Sequence, residues 1–197
     1  MTLDGAVDVL DPPRPPVMSE PAPRSEADLV AACRAGRREG FDELVSRHYD
    51  RIHRLAYTMA GPGAAADLAQ ETFLAAVKAF PNFRGDSQLA TWLISILRNQ
   101  YSLWLRGRRK WQLAPLEGED QRQPAPEPRG IEKGVREILD RLKELPEDLR
   151  TTLVLFYLDG LKYSEIAQAM ECPVGTVRSR LFEARERLKK MVQKSEA

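Results

Sequence analysis

The chain has 197 residues, of which 43% are hydrophobic and 30% charged, with a formal net charge of +1. That is room for one large or two small domains with a packed core, and too even a charge for composition alone to announce a nucleic-acid binder. The two cysteines, Cys33 and Cys172, lie far apart, and His48 and His53 are five residues apart rather than four, which excludes a disulfide framework and leaves no expectation of a metal site.

Residues 1–24 hold Pro12-Pro13-Arg14-Pro15-Pro16 and Pro21-Ala22-Pro23. Proline removes donors and blocks helix, so a disordered arm is expected there, read as a loose extension in preference to a docking tail. It lacks the basic stretch and apolar core of a secretory signal. No apolar run in the chain is long enough to span a bilayer, so a cytoplasmic protein is expected.

From Ser25 onward the spacing of apolar residues predicts helices. Ser25 is placed as the cap of a short helix carrying Leu29, Val30 and Cys33, which Gly36 ends. A longer helix follows with Phe41, Leu44, Val45, His48, Ile52, Leu55, Ala56 and Met59 at three-and-four spacing, stopped by Gly61-Pro62-Gly63. A third helix is expected over about 64–79, with Leu68, Phe73, Leu74, Val77 and the following Phe80 apolar. After a loop over 81–86, Ser87 is placed as the cap of a fourth helix reaching about Arg106, with Trp92, Leu93, Ile96, Leu97, Leu103 and Trp104.

The helical pattern is lost over 112–130, where four prolines stand among Glu117, Glu119 and Asp120. This reads as a flexible, acidic linker between two domains. Helices are expected again over 131–145, from Pro146-Glu147-Asp148 to Leu158, from Glu165 to Met170 with Ser164 as cap, and from about Thr176 to Val192. The expected fold class is all-α: an N-terminal helical bundle and a C-terminal helix-turn-helix, joined by the linker.

The last two helices have the short-helix, tight-turn, long-helix layout that presents a recognition helix to the major groove. Ile166, Ala167 and Met170 face Val177, Leu181, Ala184 and Leu188, while Arg178, Arg180, Arg185, Arg187, Lys189 and Lys190 lie outward against Glu183 and Glu186. Gly175-Thr176-Val177-Arg178 would aim base-reading groups and backbone N–H groups at DNA. The bland alternative is a helical hairpin with a solvated basic face.

The fourth helix interleaves Arg98, Arg106, Arg108, Arg109 and Lys110 with Trp92, Tyr101, Trp104 and Trp111. Cations hold phosphates and rings stack on unpaired bases. With the preceding loop of Asn82, Phe83, Arg84, Asp86 and Ser87, this suits a site where DNA is opened or a base turned out. Trp92 is read as core; Arg106, Arg108 and Arg109 are read as phosphate contacts. On the third helix, Asp67, Gln70 and Glu71 form an acidic-polar face beside Leu68 and Phe73. That face is either a dipole-compatible helix start or a surface for a partner with a basic groove, and the residues do not choose between them.

Asp67-Leu68-Ala69-Gln70-Glu71-Thr72-Phe73, Phe83-Arg84-Gly85-Asp86-Ser87, Thr91-Trp92-Leu93 and Gly175-Thr176-Val177-Arg178-Ser179-Arg180-Leu181, in that order, closely resemble the extracytoplasmic-function (ECF) sigma factors of bacteria over about residues 25–193. The resemblance implies that 25–111 is sigma region 2 and 131–193 sigma region 4, with 112–130 threading toward the RNA exit path. It implies that Asp67, Leu68, Gln70, Glu71 and Phe73 contact the β′ clamp helices of core RNA polymerase. Asn82 to Ser87 would hold a flipped −10 base, with Arg98 and Asn99 near the DNA. Region 4 would bind the β flap and set Ser164, Thr176, Val177, Arg178, Ser179, Arg180, Phe182, Arg185 and Arg187 at the −35 element of promoter DNA. Family members are often held inactive by an anti-sigma factor. The longer proline-rich arm departs from the family pattern.

The competing expectation is a conventional regulator that binds duplex DNA through the helix-turn-helix without opening it. An enzyme is not expected: there is no nucleophile–base pairing, phosphate-binding glycine loop or metal spacing, and so no cofactor or small-molecule substrate.

Overall fold

The computed structural model describes residues 25–113 and 133–195. The proline-rich arm and nearly all of the acidic linker therefore lie outside the described residues. Regular structure among the described residues is entirely helical: α1 (Glu26–Arg34), α2 (Arg38–Ala60), α3 (Pro62–Ala79), a single 3-10 turn (Phe80–Asn82), α4 (Leu89–Leu113), α5 (Lys133–Glu144), α6 (Glu147–Tyr157), α7 (Tyr163–Ala169) and α8 (Val174–Ser195).

Local signals set most of the boundaries. Ser25 Oγ accepts from the Asp28 N–H at 3.2 Å, as a cap should. At the other end of α1, Gly36 takes φ +68°, and the Gly36 and Arg37 N–H groups close back on the Cys33 and Ala32 carbonyls. That is the glycine-terminated Schellman closure, and a side chain at Gly36 would strain it. The chain then turns so tightly that a Cβ on Gly40 would stand 2.8 Å from Ala32 Cβ. Pro62 opens α3 immediately after Gly61.

Two expected caps are replaced. Ser87 does not start α4; the Leu89 N–H instead donates to Glu26 Oε1 at 3.2 Å, a carboxylate brought from α1. Ser164 lies inside α7, whose cap position is Lys162, with the Lys162 N–H donating to Glu165 Oε2 at 2.8 Å. In both places a carboxylate satisfies the N-terminal donor better than a neutral hydroxyl. The expected end of α4 at Arg106 is also too early, since the helix continues to Leu113. Its final stretch is basic, which suits a helix C-terminus.

The N-terminal bundle packs α2, α3 and α4 around Leu44, Ile52, Leu55, Leu68, Leu93 and Leu97, all buried. Tyr101, fully buried, donates from its hydroxyl to the Met59 carbonyl at 3.0 Å and ties α4 to α2. His48, half-buried on α2, has its pKa lowered by burial first and by Arg51 next, with Arg47 adding to the effect and Glu26 opposing it. The unfolded chain therefore takes up a proton below about pH 6.5 that the folded chain resists, so stability falls as the pH drops through that range. Urea midpoints at pH 7.5 and pH 5 should show a smaller acid loss in His48→Gln than in the parent.

The two halves are in contact. Asp159, in the turn after α6, accepts two bonds from Arg51 of α2 at 2.8 and 2.7 Å, and its side chain is only 3% exposed. Arg98 of α4 donates to the Met170 carbonyl at the end of α7, 3.1 Å away. Buried Arg150 lies over the Tyr101 ring, 5.5 Å from its centroid. Joined in sequence by the linker, the halves also pack on each other through residues that carry no local pattern for it.

Candidate nucleic-acid interface

The helix-turn-helix is built as its pattern predicts. Ile166, Ala167 and Met170 of the α7 side pack on Val177, Leu181 and Ala184 of α8, all buried. The turn passes through Glu171 at φ +50°, a conformation that non-glycine residues seldom adopt. This crossing turns the opposite face of α8 outward. Arg178, Ser179, Phe182, Arg185 and Arg187 are exposed, Phe182 at 67%.

The outward cations are not equivalent. Arg180 is tied to Asp148 of α6 and sits 3.7 Å from Cys172 Sγ. Arg185 donates from Nε to the Tyr157 hydroxyl at 2.9 Å and covers the Tyr157 and Phe156 rings. Arg187 pairs with Glu183 one turn back. Among the described residues, nothing binds Arg178. Val177, placed with the −35 contacts, is fully buried, so its side chain serves the helix crossing. Thr176 is half-buried and Ser164 exposed.

In the first half, the loop between α3 and α4 rests on an aromatic cluster. Phe80 is fully buried and meets Phe41, Phe83 and Trp92 with ring centroids 5.7, 5.7 and 5.4 Å away. The Phe83 ring is itself buried, 4.8 Å from Trp92, so what Phe83 offers the loop surface is its carbonyl. Arg34 Nη2 donates to that carbonyl at 2.6 Å. Asn82, Arg84 and Asp86 are exposed, Ser87 is half-buried, and a cavity of about 600 Å³ opens between Arg34, Asn82, Phe83 and Arg84. Further along α4, Asn99, Arg106 and Arg108 are exposed, with Arg108 stacked over Trp104 at 4.9 Å. The Arg109 side chain lies outside the described residues.

On α3 the exposed stripe is Asp67, Gln70, Glu71, Leu74, Val77 and Lys78. Leu68 and Phe73 are buried at 3% and 7% exposure and form the underside of this face. Leu74 and Val77, the other apolar residues named on this helix, are 46% and 42% exposed. Leu74 lies four residues from Gln70 and three from Glu71, and Val77 three from Leu74, a spacing that sets both on the face of Asp67, Gln70 and Glu71. Arg34 and Glu26 were missed altogether, because their contacts span 49 and 63 residues of chain and leave no local pattern.

An outward basic recognition helix in one half and a cation-rich loop pocket above an aromatic cluster in the other define a DNA-binding transcription factor. The pattern of Sigma-70 region 2 matches residues 44–111, and that of Sigma-70 region 4 matches residues 135–188. The ECF RNA polymerase sigma-E factors of Salmonella typhimurium (strain LT2) and Escherichia coli K12 are each 38% identical over 177 residues, covering 84% of this chain and 93% of theirs. The sigma factor RpoE of Bartonella quintana, solved with the anti-sigma factor NepR, superposes with a TM-score of 0.62 at 26% identity over 78% of this chain and 96% of that one. CnrH, solved with the cytosolic domain of CnrY, shares the fold with a TM-score of 0.65 at 24% identity over 85% of this chain and 97% of that one. The chain belongs to the ECF sigma factors, the promoter-specificity subunits that bring core RNA polymerase to particular promoters and start transcription there.

Proposed function

We propose a division of labour within this sigma factor. Residues 25–111 act as region 2, 131–193 as region 4, and 112–130 as the connector. The α3 stripe from Asp67 to Val77 docks on the β′ clamp helices, its acidic end meeting basic groups and its Leu74–Val77 end meeting apolar ones. Leu68 and Phe73 hold that stripe in shape from beneath. The loop from Asn82 to Ser87 receives an unpaired −10 base, and Arg98, Asn99, Arg106, Arg108 and Arg109 hold the strand. Region 4 sits by the β flap with α8 in the −35 major groove, where Thr176, Arg178, Ser179, Arg180, Phe182, Arg185 and Arg187 contact DNA.

The observation that carries this reading is the outward, exposed Arg178 at the start of an otherwise anchored helix. The Bartonella quintana RpoE, solved with the anti-sigma factor NepR, supports control of this chain by an anti-sigma factor. The protein binds and positions partners without catalysing a reaction of its own, and works in the cytoplasm with its polymerase. No helix among the described residues is long and apolar enough to cross a membrane.

Arg178→Ala tests the −35 assignment. Losing a bidentate base contact costs about 1–3 kcal/mol, so duplex −35 binding should weaken by roughly 5- to 150-fold. Core-polymerase affinity should stay as it was. A loss spread evenly over all duplex sequences would reduce Arg178 to a phosphate contact.

A further inference from the structure

Helix α1 braces the −10 loop at both ends. Glu26, in its first turn, caps α4 through the Leu89 N–H, and Arg34, its last residue, holds the Phe83 carbonyl. The loop between these anchors is thereby fixed to α1 as well as to the aromatic cluster. The cavity of about 600 Å³ beside it lies within the range of small-ligand pockets, about 300–1,000 Å³.

The walls of that cavity decide what it reads. The Phe83 ring faces the core, so it adds no free stacking surface. The polar groups present are the guanidinium groups of Arg34 and Arg84 and the Asn82 amide. Arg34 is distinctive because one of its donors is already engaged on a backbone carbonyl. That bond orients the plane of the guanidinium and leaves most of its five donors unspent. A planar fork of donors matches two adjacent acceptors on one edge of a base. Guanine offers O6 and N7, and unpaired cytosine offers O2 and N3. Adenine and thymine interpose a donor on each such edge.

We propose that Arg34 is a specificity-determining residue of the −10 loop, favouring a turned-out cytosine or guanine over adenine or thymine. This rests on the reading of residues 82–87 as the base-holding loop. The test uses holoenzyme reconstituted from core polymerase and the full chain, with single-stranded −10 oligonucleotides. A 2-aminopurine scan locates the turned-out position, which is then varied through all four bases.

The parent should favour cytosine or guanine by about 10-fold or more, the value expected of a bidentate contact, and the four-base comparison identifies which. Arg34→Ala and Arg34→Lys should both flatten that preference, while core affinity and −35 duplex affinity hold. Lysine keeps the charge but not the fork, so Arg34→Lys should retain overall affinity for the strand. A preserved preference in Arg34→Lys, or an equal loss for all four bases in both variants, would overturn the inference. If Arg84→Ala and Asn82→Ala alter oligonucleotide binding while Arg34 variants do not, only the Arg34 assignment falls. If no base turns out and none of the four variants matters, the reading of the loop falls with it.

Discussion

Phe80→Ala should unseat the loop over 82–87, proposed above to receive the −10 base, and cost the first half about 3–5 kcal/mol, the usual range for deleting a buried phenylalanine. Phe80 is fully buried and is the ring on which Phe41, Phe83 and Trp92 converge. Against a typical net stability of about 5–15 kcal/mol, this is a large fraction. For a chain of this size it corresponds to a fall in Tm of roughly 10 °C. Phe80→Leu, which keeps most of the volume, should lose less. The functional consequence is separable from the −35 contact. At a temperature where the variant is still folded, promoter opening with core polymerase should drop, while duplex −35 binding by α8 should not. Permanganate reactivity of −10 thymines would report the first, and anisotropy on a −35 duplex the second. A Tm within about 2 °C of the parent would show that the cluster does not carry the loop.

Arg51→Ala should part the two halves. Asp159 is nearly sealed from solvent and depends on both Arg51 bonds. Removing one member of a buried pair leaves an uncompensated charge, with a penalty of about 3–5 kcal/mol where the charge cannot escape. Here it can escape by separation of the halves, in which the carboxylate regains water. Small-angle scattering should therefore show a larger radius of gyration for Arg51→Ala, with near-unchanged helicity. The reversed pair, Arg51→Asp with Asp159→Arg, should restore part of the compact form, as expected of a coupled pair. Unchanged scattering from Arg51→Ala would mean that the other contacts hold the halves without it. Separation would also release Arg98 from the Met170 carbonyl.

The amino-acid order by itself determined the helices, their main breaks and the recognition helix. These depend on short-range physics: apolar residues at three-and-four spacing, Gly36 and Gly61 as stops, and Ser25 as a cap. The family motifs also lie in continuous stretches, from Asp67 to Phe73 and from Gly175 to Leu181, so they could be read directly. Tertiary structure decided which side chains those helices spend on themselves. Leu74 and Val77 are apolar yet outward, while Val177 and the Phe83 ring are buried within stretches assigned to DNA. Only packing chose Glu26 over Ser87 as the cap of α4, set Arg34 against the Phe83 carbonyl, and joined Arg51 to Asp159 across 108 residues of chain. The physical reason is that a helix's period fixes which residues share a face. Which neighbour that face meets, and which distant carboxylate satisfies its donors, depends on how the helices are stacked.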